Sequence, residues 1–144
     1  MKFENKNKRI IIFNLGENIY GIDIQKVQEI MKVPVVTEIP TEFEYILGVI
    51  NLRGKVIPVI NLRKKIGLEE KDISENTKII ILKEGETTYG LLVDGISEVE
   101  KITRDMMETP TNAFSESERE FIDSIVKMKK KILILLNIKR VVQK

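Results

Sequence analysis

The chain has 144 residues, of which 42% are hydrophobic, and its 24 lysine and arginine residues nearly balance 22 aspartate and glutamate residues. The net charge of +2 is not typical of a nucleic-acid-binding protein, and the absence of cysteine excludes disulfides, thiolate catalysis and thiolate metal sites. Histidine is absent as well, which removes the most common general base and metal ligand. No apolar run is long enough to span a bilayer, and residues 1–9 lack the apolar stretch of a signal peptide, so we expect a soluble intracellular protein.

The first predicted element is a β-hairpin. An apolar run at residues 10–15 leads into a Gly-Glu turn, and a second run at residues 20–24 begins with Tyr-Gly. Apolar, β-branched runs on both sides of a glycine turn are typical of a hairpin with one buried face. An extended connection follows at residues 33–40, where Pro34 and Pro40 restrict the backbone.

A second hairpin is predicted at residues 48–62, which read GVINLRGKVIPVINL. Gly54 can adopt a positive φ at no steric cost, so a tight turn would place Arg53 at its tip, where the long cation could face a partner. Asn61 then precedes a short amphipathic segment at residues 62–66, which is the arrangement of a short helix with an N-cap.

The second half of the chain repeats the first. When the sequence is shifted by 69 residues, segment 10–30 aligns without gaps on segment 79–99, and eight of 21 positions are identical. About one or two identities would be expected from average residue usage. Segment 132–136 and Asn137 likewise resemble segment 56–60 and Asn61, so residues 138–142 predict a short C-terminal helix. The chain is therefore predicted to be a duplication of one β-rich unit.

Several short strands separated by turns of this kind predict a mainly all-β fold with two small barrels packed together. The predicted unit spans residues 10–142, with subdomains of about 10–75 and 76–142 and some exchange of strands at their boundary. The NLRG turn at residues 51–54 has no visible counterpart in the second copy. We therefore place partner-specific function in that turn.

Candidates for catalysis are few. Asp94 could be read as a catalytic carboxylate or a metal ligand, but an Asp-Gly pair favours a plain turn. Glu29 and Glu98 occupy equivalent positions of the repeat and are interpreted as surface acids or structural pairs. The serines have no histidine to activate them. The sequence predicts no catalytic residue, metal or cofactor.

A basic cluster at residues 127–131, KMKKK, is the best candidate for nucleic-acid binding, and small β-barrels do bind nucleic acid. However, the aromatic content is only 6%, and no aromatic residue alternates with these lysines to stack on bases. We interpret the cluster as a solvated hairpin turn and keep a basic small-barrel nucleic-acid-binding protein as the alternative function.

Three motifs together resemble the CheW family of chemotaxis coupling proteins. They are YGIDIQKVQEI at residues 20–30, GVINLRGKVIPVINLR at residues 48–63 and YGLLVDGISEV at residues 89–99. The motifs stand in the order of the family, and the resemblance covers the chain from about residue 10 to residue 142. It implies two five-stranded SH3-like barrels around a shared hydrophobic seam, with short helical turns, a short C-terminal helix and no enzymatic activity.

The resemblance also implies partners. Proteins of this family link the histidine kinase CheA, whose regulatory domain is itself CheW-like, to the helical cytoplasmic tip of methyl-accepting chemotaxis receptors. A protein of this kind would be cytoplasmic and recruited to receptor arrays at the inner face of the membrane. A second interpretation is that the chain is a relative of the kinase's own regulatory domain. The short charged start and the end soon after Val142 favour a free-standing adaptor instead.

The receptor contacts implied by the resemblance lie in a groove between the two barrels. From the sequence alone, the aliphatic residues among the implied contacts would be interpreted as buried in the barrel core. Arg53 would be interpreted either as a solvated charge in a turn or as part of a structural ion pair. A groove of apolar anchors with a polar rim suits a helical partner. The implied positions are Val27, Glu29, Arg53, Ile96 and Val99.

The kinase contacts implied by the resemblance lie on an apolar surface of the first barrel, near the connection at residues 31–36. The glycines matter there because a Cβ could block the close approach of a backbone. A second, ring-closing contact maps to residues 107–114, where the chain departs from the family's usual acidic and basic pattern. The positions offered are Met31, Val33, Gly48, Gly54 and Phe114.

Overall fold

The computed structural model describes residues 7–110 and 114–143, and these residues are mainly β. Within them, no helix is long and apolar enough to cross a membrane. The strands are β1 (Asn7–Leu15), β2 (Asn18–Asp23), β3 (Val27–Lys32), β4 (Ile46–Leu52), β5 (Lys55–Asn61), β6 (Lys78–Glu84), β7 (Thr87–Val93), β8 (Gly95–Thr103), β9 (Met107–Glu108), β10 (Ile122–Lys127) and β11 (Ile132–Leu136). The helices are α1 (Leu62–Lys65), α2 (Glu116–Arg119) and α3 (Ile138–Val142), and 3₁₀ turns lie at Ile24–Lys26 and Arg104–Met106.

The strands form two sheets, as the predicted fold class requires. The five-stranded sheet has the order β3-β6-β7-β5-β4, and the six-stranded sheet has the order β8-β1-β2-β11-β10-β9. The sixth strand, β9, contains only two residues and lies at the sheet edge. The mainly all-β class with a short C-terminal helix is confirmed, and two SH3-like subdomains fit this arrangement.

The two copies of the repeat exchange their first hairpins. The β1–β2 hairpin belongs to the six-stranded sheet with strands from the second half of the chain, and the β6–β7 hairpin joins β3, β4 and β5. Parallel pairing of β2 with β11 and of β5 with β7 attaches each exchanged hairpin to its sheet. The subdomain limits of about 10–75 and 76–142 stay a prediction, and each sheet takes strands from both sides of residue 75.

The strand register repeats along with the sequence. Val27 on β3 lies opposite Leu82 on β6, and its repeat equivalent Ile96 on β8 lies opposite Phe13 on β1. Each of these pairs is followed by a one-residue shift in register, which is a bulge in the edge strand. The two halves are therefore related by an approximate twofold symmetry that extends to the bulges.

The hydrophobic core has three parts. One buried cluster lies inside the five-stranded sheet and another inside the six-stranded sheet. The third and largest cluster, here called the shared core, draws residues from both halves of the chain and from all the exchanged strands. Its members include Phe13, Leu15, Tyr20, Ile22, Ile60, Leu62, Ile80, Leu82, Leu91, Val93, Leu136, Ile138 and Val141.

The repeated Tyr-Gly pair has a packing reason. A Cβ placed on Gly21 would lie 2.4 Å from Cγ2 of Ile10 and 3.1 Å from a methyl of Leu133, and both of these side chains are fully buried. At Gly90, the nearest side-chain atoms are 3.0 and 3.4 Å away. Only glycine lets β2 approach its neighbours this closely at Gly21, whereas at Gly90 a methyl group would require smaller shifts of Ile79 and Val59.

We predict that Gly21→Ala lowers the free energy of unfolding by about 1–3 kcal/mol, because overpacking a close-packed core strains its neighbours. Gly90→Ala is the matched control at the equivalent position and should cost clearly less, since its new methyl group meets atoms farther away. Urea unfolding of both variants measures the difference. Equal losses at the two positions would contradict this account of the Tyr-Gly pair.

Candidate functional site

Four aliphatic side chains on the edge strands β3 and β8 are partly buried or exposed, and two of them pack against the shared core. Directly paired residues of neighbouring strands share a face of the sheet, so Ile30, opposite buried Ile80, lies on the face that packs into the shared core. Val99 lies opposite buried Ile11 at the equivalent position of the other sheet. Together with two partly buried residues that pack on the shared core, they form what we call the inter-sheet rim: Val27, Ile30, Ile96 and Val99.

The rim mixes core and surface character. Val27 and Ile96 are half-buried, whereas Val99 is 50% exposed and Ile30 is 37% exposed. The plain core interpretation therefore fits the first two side chains better than the last two. Ile30 was not among the predicted receptor contacts. Its alignment with Val99 in the repeat was the observation from which it could have been predicted as one.

Arg53 and Glu29, both predicted receptor contacts, form an ion pair; Glu29 lies opposite Ile81, on the other face of β3 from Ile30. Nη1 of Arg53 donates to Oε2 of Glu29 over 2.8 Å, and Nη2 donates to the same oxygen. Arg53 has a φ of 52°, and the side chain of Asn51 accepts a hydrogen bond of 2.9 Å from the amide of Gly54. The turn thus carries Arg53 outward, where its side chain is 67% exposed and that of Glu29 is 34% exposed.

The second sheet contains a similar ion pair, although its turn does not repeat the NLRG sequence. Lys131, in the turn between β10 and β11, donates to Oε2 of Glu98 over 2.9 Å. Glu98 is the repeat equivalent of Glu29. The two turns differ in sequence, so the alignment of the repeats does not reveal that each turn places a cation against a repeat-equivalent glutamate. Glu100 adds a second carboxylate, 3.6 Å from the same ammonium.

The carboxyl groups of Glu98 and Glu100 shift each other's pKa. The neighbouring Glu100 and Lys131 lower the pKa of Glu98, and the neighbouring Glu98 raises the pKa of Glu100. The proximity of Glu98 raises the pKa of Lys131 by stabilising its charged form.

The two glycines predicted to contact a kinase serve the local backbone. A Cβ on Gly48 would lie 2.3 Å from the carbonyl oxygen of Thr37. That carbonyl accepts from the amide of Val49 over 2.8 Å, and this bridge ties the connection after β3 to β4. Gly54 has a φ of 86° and nothing within 4 Å of a Cβ position, so it is needed for the turn.

Met31 and Val33, the aliphatic candidates for kinase contact, are partly buried against the core of the five-stranded sheet. The exposed apolar side chains in this region are instead Val35, 86% exposed, and Val56 on β5, 71% exposed. Sequence reasoning pointed to this region but missed both residues, because alternation along short strands does not show which face stays uncovered.

Phe114 packs partly against the shared core. Together with Phe121, Tyr20 and Ile66, it lines an apolar cavity of about 90 Å³. Residues 111–113 of the predicted ring-closing segment lie outside the described residues.

Asp94 belongs to an ion pair that connects the two copies of the repeat. Nε and Nη2 of Arg63 donate to its two carboxylate oxygens over 3.0 and 2.7 Å, and the amide of Gly16 donates to Oδ2 over 2.9 Å. The side chains of Asp94 and Arg63 are only 13% and 14% exposed. The hydrogen bond from Arg63 holds the pKa of Asp94 below its usual value, so this carboxylate stays ionised as a structural group.

Residues 9–144 match a protein-family model described as a CheW-like domain. The chain belongs to the CheW-like domain family. The resemblance inferred from the three motifs is therefore confirmed.

Relatives with curated descriptions agree with the CheW-like assignment. The chain is 35% identical to the chemotaxis protein CheW of Klebsiella aerogenes, covering 95% of this chain and 82% of the relative. It is 32% identical to that of Treponema pallidum, over 96% and 84% of the two chains. The crystal structure of the scaffolding protein TtCheW from Thermoanaerobacter tengcongensis superposes with a TM-score of 0.87 at 36% identity, covering 95% of this chain and 88% of that chain.

The alternative of a nucleic-acid-binding protein gains no support from these CheW-like relatives. The basic cluster at residues 127–131 is also partly neutralised in the structure. Lys127 contacts Glu108 over 2.8 Å, and Lys131 contacts Glu98 and Glu100. Lysines held by carboxylates at a hairpin turn do not form an open track for a phosphate backbone.

Proposed function

We propose that this chain is a non-catalytic scaffold that couples methyl-accepting chemotaxis receptors to the histidine kinase CheA. The observation that carries the proposal is the inter-sheet rim together with the exposed Arg53–Glu29 pair, in a chain that belongs to the CheW-like family. The relatives described as chemotaxis and scaffolding proteins support the same assignment.

The rim is suited to an amphipathic helix. Half-exposed aliphatic side chains offer anchors for the apolar stripe of a helix, and the exposed Arg53–Glu29 pair at β3 offers charged groups. We propose that the helical cytoplasmic tip of a receptor docks there. The proposed contact residues are Val27, Glu29, Arg53, Ile96 and Val99.

For the kinase, we propose the apolar surface of the five-stranded sheet. Met31 and Val33 would support this surface from within, and Gly48 would act indirectly, by letting the connection at residues 33–37 lie against β4. Gly54 would shape the turn, and Phe114 is proposed for a separate contact at the other sheet. Val35 and Val56 are the exposed side chains that a CheW-like kinase domain could cover.

Each contact is expected to be modest, at about 800 Å² or less per partner, so that multivalent assembly supplies much of the stability. The scaffold would transmit a coupling free energy, because the state of the receptor changes how the kinase docks. The proposed place of action is the receptor array at the inner face of the membrane.

Co-sedimentation tests this proposal. Receptor cytoplasmic fragments assembled on vesicles should retain the kinase only weakly alone and should retain it strongly when this chain is added. Retention of the chain by receptor fragments without kinase, and by kinase without receptor, should each be measurable separately. Absence of both binary interactions at concentrations up to about 100 µM, where a weak contact of this size is still detected, would contradict the proposed function.

A further inference from the structure

The chain passes twice from one sheet to the other, and each passage leads into one of the two edge strands that carry the inter-sheet rim. Between β2 and β3 it passes through the 3₁₀ turn at residues 24–26, here called the first crossing. Between β7 and β8 it passes through the single residue Asp94, here called the second crossing. Val27 directly follows the first crossing, and Ile96 lies two residues after Asp94. The contacts that hold each crossing therefore also position one side of the rim.

The second crossing is held by the end of a hairpin and by a helix. The amide of Asp94 donates to the carbonyl oxygen of Asn14 over 3.1 Å, and its carboxylate accepts from the amide of Gly16 in the turn after β1. Arg63 of α1 adds two hydrogen bonds to this carboxylate, and the side chains of Asp94 and Arg63 are only 13% and 14% exposed. A buried pair with two parallel hydrogen bonds holds one geometry.

The first crossing has repeat-equivalent positions but weaker contacts. Gln25 stands at the position of Asp94, and its amide donates to the side chain of Asp23 at the start of the same turn. The crossing is tied to the end of β6 by the ion pair of Lys26 with Glu84, which has a length of 2.7 Å. In this pair the side chain of Lys26 is 43% exposed, and exposed ion pairs contribute little to stability.

A cavity lies beside the first crossing at the place that corresponds to the buried ion pair. Lys139 is the second residue of α3, as Arg63 is the second residue of α1, so the two are equivalent in the repeat. Lys139 is exposed, and it lines a cavity of about 200 Å³ together with Lys26 and Glu84. The first crossing therefore has open space where the second crossing has a packed guanidinium.

The strands that follow the crossings differ in the same direction. β3 pairs with β6 at five positions, and no residue of β3 is buried. β8 pairs with β1 at eight positions, and both Gly95 at its start and Ile102 near its end are buried. Segments with few buried contacts open locally at a lower free energy than well-buried ones. Both the crossing and the strand therefore make β3 the less firmly held side of the rim.

We propose that the inter-sheet rim has one fixed side and one adjustable side: β8 keeps its position, and β3 shifts when a helix docks. Lys26 and Glu84 are then positioning residues, because their exposed pair limits the movement of β3. The docking step rests on the proposed receptor binding, whereas the mobility of β3 is a property of the free protein. An adjustable side lets one rim receive helices whose apolar side chains differ in size.

Hydrogen exchange of the free chain compares the two sides. The amides of β3 that bond to β6 should have protection factors at least about tenfold lower than those of β8 that bond to β1. Lys26→Gln and Glu84→Gln should each lower protection in β3 by a further two- to fivefold, roughly, and leave β8 unchanged. A general loss of stability would instead lower protection in both strands.

Lys127→Gln is the matched control, since it breaks an exposed ion pair of similar length, 2.8 Å, with Glu108. This variant should change protection in neither β3 nor β8. Equal protection of the two strands in the wild type overturns the proposed difference between the sides. Unchanged protection of β3 in both Lys26→Gln and Glu84→Gln overturns the positioning role of the pair.

The docking step is read with spin labels. Because the chain has no cysteine, one label can be placed at Glu17 and a second at Lys32 on β3 or Lys101 on β8, all of them exposed. Binding of a receptor cytoplasmic fragment should change the distance from Glu17 to Lys32 and leave the distance to Lys101 unchanged. A change confined to Lys101, or no change at Lys32, overturns the inference. If the wild-type chain does not bind the fragment, the proposed function is rejected, and the exchange experiment still decides whether β3 is the mobile side.

Discussion

Arg53→Glu is expected to weaken receptor binding at least about tenfold while leaving the fold intact. The substitution reverses the charge of a side chain that is 67% exposed and sets two carboxylates against each other at Glu29. The stability cost should be small, because exposed ion pairs contribute less than about 1 kcal/mol. Titration of a receptor cytoplasmic fragment, with thermal unfolding run in parallel, measures both quantities.

Two further variants define what Arg53 does. Arg53→Lys keeps a cation in the same turn and should retain part of the affinity, since only the planar fork of the guanidinium is lost. The exchange Arg53→Glu with Glu29→Arg restores an ion pair but places the cation on β3. If the exchanged variant binds as tightly as the wild type, the pair acts only by holding the turn, and a direct contact of Arg53 with the receptor is ruled out.

Asp94→Asn is expected to lower the free energy of unfolding by about 3 kcal/mol at neutral pH, because it leaves Arg63 nearly buried without its counter-charge. Asparagine preserves the size of the side chain and one acceptor for the amide of Gly16, but its NH2 group replaces the acceptor of Nε of Arg63, so the variant removes the charge together with one hydrogen bond. Urea unfolding gives the difference. Asp72→Asn, at an exposed position, is the control and should change stability little.

The same pair predicts a pH dependence. The hydrogen bond from Arg63 lowers the pKa of Asp94 in the folded state, whereas the unfolded carboxyl titrates at about 3.9. Stabilisation by the pair is therefore complete above about pH 5 and is lost as the pH falls through the folded pKa. The free energy of unfolding of the wild type should decrease more steeply below pH 4 than that of Asp94→Asn. Parallel curves for the two proteins would show that the pair does not stabilise the fold.

Local patterns in the sequence were sufficient for the strands, the caps and the repeat. The short helices α1 and α3 begin where Asn61 and Asn137 accept from backbone amides, as the N-cap pattern predicted. The alignment of the two copies predicted hairpins that the structure contains at β1–β2 and β6–β7. These features depend on contacts within a few residues, which local sequence encodes.

Other features depended on contacts between distant segments. Asp94 was interpreted as part of a turn, and the structure pairs it with Arg63 from the other copy of the repeat. Gly48 was predicted to make room for a partner, and it makes room for Thr37 of the same chain. In each case the residue type was noticed, but the neighbour that explains it is far away in sequence.

By itself, the sequence determined the family, the mainly β class, the duplication and the candidate residue Arg53. The tertiary structure alone decided which hairpins are exchanged between the sheets, and that Lys131 pairs with Glu98 as Arg53 pairs with Glu29. The physical reason is that strand pairing depends on how apolar faces from the whole chain become buried together. A repeat in the sequence shows which strands each unit contains, but not which strands pair. Exchange of the hairpins brings both copies into one core, and the equivalent positions of β3 and β8 border it together.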